Sequence, residues 1–158
     1  MHDIFISHSV KDGEISHRIY TYLEAKGIKC FMDARDLVPG KPYPGQLANA
    51  IRGSHAVVLV FSSSSDVSEP VQNEVGLARN NKIPIIPVRI ENVFPQELAL
   101  FITTSQWLDA FPPPIEKHLL KLVDAIKSHL ETDQKDEETS SLRAEFQCQP
   151  RKTVKAAE

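Results

Sequence analysis

At 158 residues, 41% hydrophobic and 25% charged, the chain fits one globular domain with a tail and is cramped for two. Its net charge of -3, from 18 Lys and Arg against 21 Asp and Glu, argues against a general nucleic-acid binder, whose phosphate affinity comes from clustered cations. Two cysteines, Cys30 and Cys148, exclude a disulfide scaffold and a Cys-rich zinc site, and no apolar run nears the ~20 residues that cross a bilayer.

Met1-His2-Asp3 lacks the basic region of a signal peptide, and free thiols suit a reducing compartment. A cytoplasmic protein with no membrane contact is therefore expected. Asp3 to His8 is short, apolar and β-rich, and reads as a buried strand ending at Ser7-His8. From Asp12 the spacing turns helical: Ile15, Ile19, Tyr22 and Leu23 fall on one face, and Gly27 closes the helix. Ile28 to Asp33 reads as a second strand. Ala34 to Gly45 holds three prolines and two glycines, which predicts a long loop. Leu47 to Ile51 reads as a short helix ending near Gly53.

Ala56 to Phe61 is the most hydrophobic run and predicts a central parallel strand. Ser62 to Ser65 follow it. Ser68 is placed to cap a helix with Pro70 in its first turn. Ile83 to Ile90 predicts a strand, and Pro84 and Pro87 suggest an edge or irregular one. Phe101 to Leu108 is the expected fifth strand. After Pro112 to Pro114, the stripe Leu119, Leu122, Val123, Ile126 and Leu130 predicts a final amphipathic helix. The alternation implies an α/β fold: an open parallel sheet of about five strands with helices on both faces. Residues 132–158 carry 5 basic and 6 acidic side chains with few large apolar groups, and read as a polar linker or tail after a domain spanning 1–131.

Glu74 is the most informative residue. On a wheel starting at Val71, Val75, Leu77 and Ala78 fall at about 40°, 240° and 340°. Glu74 falls at about 300°, inside that apolar arc. A carboxylate there must be paired, protonated or functional, because burying it alone is costly. An ion pair with an Arg, or an escape to the edge of the arc, would satisfy the same pattern. In open parallel sheets, ligands bind beyond the carboxyl ends of the strands at the switch point. With a flavodoxin-like strand order that point lies between Ser7-His8 and Ser62-Ser63. Glu74 and the Pro/Gly loop would then line the same cleft, with chemistry suited to a polyhydroxylated ligand.

Other signals are weaker. His8 has no readable nucleophile partner, and capping or hydrogen bonding is its plainer role. The serine run lacks a P-loop pattern, and no G-x-G-x-x-G follows the first strand. The six histidines are scattered without metal-ligand spacing, so no metal is expected.

Taken together, Asp3-Ile4-Phe5-Ile6-Ser7-His8 with Asp12 resembles the opening box of Toll/interleukin-1 receptor (TIR) domains. Arg35-Asp36-Leu37-Val38-Pro39-Gly40 resembles the second box, the BB loop. Glu74 matches the family's catalytic glutamate, and Gln106-Trp107-Leu108-Asp109 resembles the third box. The likeness covers about residues 2–131 and looks prokaryotic in type. It implies a flavodoxin-like fold and cleavage of the nicotinamide–ribose bond of NAD, to ADP-ribose or a cyclic ADP-ribose product, within a defence or signalling system. NAD is then substrate, with no resident cofactor. Glu74 would be catalytic. Ser7, His8, Asp33, Arg35, Leu37, Lys41, Ser62 and Ser63 form the expected substrate-binding set. Asp36, Leu37, Val38, Pro39 and Gly40 would form a loop for TIR–TIR assembly, and the tail could lead to a sensor domain or partner. One departure stands out: many prokaryotic members carry Trp four residues before the glutamate, where this chain has Pro70. A non-enzymatic TIR adaptor working through TIR–TIR contacts is the competing expectation.

Overall fold

The computed structural model describes residues 2–32, 43–102 and 107–148, with the side chains of residues 43, 44 and 133–148 outside that description. Strand β1 (Ile4–Ser7) leads through a 3-10 turn at Val10–Asp12 into helix α1 (Gly13–Ala25). Then come β2 (Cys30–Met32), α2 (Tyr43–Arg52), β3 (Ala56–Phe61), α3 (Ser63–Asp66) and α4 (Glu69–Asn80). The chain continues through β4 (Ile85–Arg89), α5 (Ala99–Ile102), β5 (Leu108–Asp109) and α6 (Glu116–Cys148). The five strands form one parallel sheet in the order β2-β1-β3-β4-β5. This is the flavodoxin-like order, with its switch point between β1 and β3.

Side-chain alternation along the strands sorts the core into two layers. Ile4 and Ile6 of β1 and Ala56, Val58 and Val60 of β3 pack with Ile19 and Leu23 of α1 and Leu119, Leu122, Val123 and Ile126 of α6. On the other face, Phe5 and Val57 meet Leu47, Ala50 and Ile51 of α2, while Leu59 and Phe61 meet Val71 and Val75 of α4. Every side chain of β3 is fully buried. Each large one contributes about 1.5–3 kcal/mol, which is why this run is the sheet's centre. The stripe predicted for the last helix is the buried face of α6.

Helix α1 ends as predicted. Gly27 has φ +82°, and the amides of Gly27 and Ile28 donate to the carbonyls of Glu24 and Leu23. This Schellman closure needs a left-handed residue, and glycine takes that conformation without strain. Arg18 clamps α1 to the start of α6 through both oxygens of Glu116. The Glu116 carboxyl is held below its ordinary value, first by the backbone N–H at the helix start and then by Arg18.

Three expectations need correction. The loop predicted to Gly45 gives way to α2 at Tyr43, because Pro44 and Gly45 sit in a first turn, where proline's missing N–H costs nothing. Strand β4 is interior, not an edge. Bonds toward β3 come from its even positions, as the Val57 amide to the Pro84 carbonyl and the Ile90 amide to the Phe61 carbonyl show. Pro87 therefore turns its nitrogen to the other side, where β5 pairs only from Val88 onward. Finally, Phe101 and Ile102 lie in a helical turn, and β5 keeps only the last residue of the segment predicted for it, extended to Asp109.

The backbone of α6 runs on past Glu131 to Cys148. Leu130 is the last described side chain packed against the core. Truncation after Glu131 should shift the melting temperature by less than about 2 °C, since ~1 kcal/mol already moves a domain of this size by several degrees. A thermal melt followed by circular dichroism checks this; a fall beyond about 5 °C would mean that residues 132–158 dock on the domain.

Candidate functional site

The carboxyl end of β1 places Ser7 on the same face as Phe5, the face that α4 covers. Helix α4 starts at Ser68, whose hydroxyl accepts from the Val71 amide at 3.5 Å, with Pro70 in the first turn. This start fixes the helix rotation that turns Val71, Val75 and Ala78 into the core. Glu74 turns in with them and is only 6% exposed. The Ser7 hydroxyl donates to Glu74 Oε2 at 2.5 Å across 67 residues of sequence.

Glu74 also borders an open cleft of about 260 Å³ between α2 and α4. Leu47, Ala48 and Ile51 form one wall, and Pro70, Asn73 and Leu77 the other. The walls are mainly apolar, as those of small-molecule clefts commonly are. Pro70 stands in the wall itself.

The carboxyl end of β3 is organised differently. Ser62 is fully buried and caps α3: its hydroxyl accepts from the Ser65 amide, and the Ser65 hydroxyl accepts in turn from the Ser62 amide. The Ser62 hydroxyl donates to Asp12 Oδ2 at 2.5 Å, which ties the turn after β1 to the turn after β3 across the switch point. Ser63 is exposed and donates to Glu91 Oε2 at 3.0 Å. It lines a second cleft with Asp66, Val67, Val93, Phe94 and Gln96.

Of the expected site residues, the structure brings Ser7 and Glu74 into contact. Ser7 is fully buried and meets the cleft only through Glu74. Ser62 spends its hydroxyl on Asp12 and on its helix. Ser63 belongs to the other cleft, since the first turn of α3 carries it toward Glu91. His8 is half-buried, with Nδ1 closed off from solvent and without a hydrogen-bond partner among the described residues. Asp33, Arg35, Asp36, Leu37, Val38, Pro39, Gly40 and Lys41 lie outside the described residues. Trp107 packs edge-on against Phe61, as a core residue does.

Sequence reasoning missed Asp66. This buried carboxylate accepts from the backbone amides of Gln96, Glu97 and Leu98 at 3.0–3.3 Å and thereby seats the start of α5. Its partners are backbone groups some 30 residues away, and no side-chain pattern announces them. Asp66→Ala should cost about 2–3 kcal/mol, because it leaves buried N–H groups without an acceptor. Urea unfolding measures this, and Asp66→Asn should lose less.

A parallel 2-1-3-4-5 sheet with a buried carboxylate beside its switch point defines a flavodoxin-like α/β protein. Residues 4–123 match the family model described as TIR domain, and the chain belongs to the TIR-domain family. A 76-residue stretch, 47% of the chain, is 34% identical to TMV resistance protein N of Nicotiana glutinosa. The chain covers only 7% of that relative's length. The fold is similar to the TIR domain of the Toll-related receptor TRR-2 from Hydra magnipapillata, with TM-score 0.69 and 20% identity over 80% of this chain and 99% of that one. It is similar to the TIR domains of the activated Roq1 resistosome, which directly recognises the pathogen effector XopQ, with TM-score 0.66, 20% identity and the same coverage. It is also similar to a TIR-STING receptor of C. gigas in complex with 2',3'-cGAMP, with TM-score 0.66 and 23% identity over 80% of this chain and 39% of that one.

Proposed function

We propose that this TIR domain cleaves the nicotinamide–ribose bond of NAD, releasing nicotinamide and leaving ADP-ribose or a cyclic ADP-ribose product. The observation that carries this reading is Glu74: a carboxylate 6% exposed, beside the switch point, on the wall of an open cleft. NAD is the substrate. When the C1'–N bond breaks, its electron pair passes to the pyridinium nitrogen, and nicotinamide leaves neutral. Positive charge is left on the ribose, and a preorganised carboxylate is the group that stabilises it. A leaving group that already carries positive charge needs no proton, so one carboxylate suffices where O-glycosides normally require two. Water or an adenine nitrogen then captures the ribosyl cation; the captured water loses its proton to solvent.

The likeness to a plant resistance protein and to a resistosome supports a role in defence or signalling. A non-enzymatic adaptor acting through TIR–TIR contacts is the second reading. Pro70 favours it, because this residue forms cleft wall where many prokaryotic members carry Trp. Incubation with NAD while free nicotinamide is followed by chromatography decides between the two. Glu74→Gln, folded as judged by circular dichroism, should lose at least ~10²–10³ in rate. Activity within a few-fold of wild type in that variant would remove Glu74 from the chemistry.

Assembly is proposed to control this activity. Leu37 and Val38 put apolar groups in a long Pro/Gly-rich segment, a pattern that suits contact with a partner. A head-to-tail contact between copies does not close by two-fold symmetry, so it can extend into a filament. Specific activity should rise with protein concentration from nanomolar to high micromolar, and Leu37→Asp should flatten the rise. Constant specific activity in both proteins would dismiss assembly control.

A further inference from the structure

We infer that Ser7 is a positioning residue: its hydroxyl, held by the central strand, locks the Glu74 carboxylate in the orientation that the cleft presents to a ligand. This rests on the reading of Glu74 as the reacting carboxylate. The geometry sets Ser7 apart from the serines at the other strand end. Ser7 is fully buried, whereas Glu74 borders the cleft, so the hydroxyl lies behind the carboxylate and does not touch a ligand in front of it. A hydroxyl that donates at 2.5 Å requires an acceptor oxygen and holds that oxygen in one place.

Rigidity comes from the sheet. Ser7 pairs with Leu59 of β3 in a strand whose four residues are all buried. Its Cβ is thus placed by backbone bonds, and a single side-chain torsion sets Oγ. Glutamate has three rotatable bonds, and fixing one oxygen removes most of that freedom before a ligand arrives. The contact also ties α4 to β1, so the carboxylate is held in register with the switch point instead of following movements of the helix surface.

Three variants test the assignment. Ser7→Ala should lower kcat for nicotinamide release about 10–100-fold while KM stays within about twofold, because a misaligned reacting group costs rate and not binding. Ser7→Thr restores the hydroxyl and should recover most of the loss. Ser16→Ala is the control: Ser16 is equally buried, its hydroxyl has no hydrogen-bond partner among the described residues, and its loss should leave kcat unchanged. A second readout does not depend on turnover. In protein labelled with carboxyl-13C glutamate, the Glu74 resonance, identified by its absence in Glu74→Gln, should move in Ser7→Ala and return in Ser7→Thr. If Ser7→Ala does not fold, Ser7→Cys, a weak donor of similar volume, replaces it in both measurements. An unmoved resonance overturns the assignment, as does an unchanged kcat or a loss confined to KM. Wild-type protein that releases no nicotinamide overturns the NAD reading alone, and the resonance still decides the role of Ser7.

Discussion

Strand β1 is the constraint on which the site depends. It has four residues, is flanked by β2 and β3, and lies under helices on both faces. Nothing in it reaches solvent, so its polar terminal residue must find a partner inside the protein. That partner is a carboxylate from a helix 67 residues further on. The pairing satisfies the buried serine hydroxyl and one carboxylate oxygen at once. The position of Glu74 thus follows from completing the core as much as from the helix that carries it.

Two further contacts, at least partly buried, tie other described segments of the carboxyl edge together. Ser62 and Asp12 join the turns after β3 and β1, and Asp66 gathers the amides before α5. In all three cases a strand-end hydroxyl or a short-helix carboxylate joins segments far apart in sequence. Among the described residues, Ser7, Ser62 and Asp66 are thus committed to partners within the protein, and the cleft beside Glu74 has mainly apolar walls.

Local pattern made much of this legible. β3 has the bounds its hydrophobic run predicts, and the buried faces of α1 and α6 follow their stripes. Glu74 stood out because a helical wheel needs only ten residues and an assumption of burial. What escaped was set by long-range partners. Phe101 and Ile102 are as apolar as a strand, but Asp66 and Leu98 seat them as a helical turn. Pro87 argued for an edge, because strand propensity does not say on which side a missing N–H falls. Whether Ser62 and Ser63 share a cleft with Glu74 depended on which way α3 turns after β3, and no spacing encodes that.

At the far side of the sheet, Arg89 forms an ion pair with Asp109 and lies over the rings of Phe94, Trp107 and Phe111. Trp107 is the chain's single tryptophan, and it packs on the same apolar cluster as Val71 and Val75 of α4. The protein thus carries an intrinsic fluorophore against the core under the helix that bears Glu74. Its ultraviolet emission reports how that helix is seated, without any dye or label near the cleft.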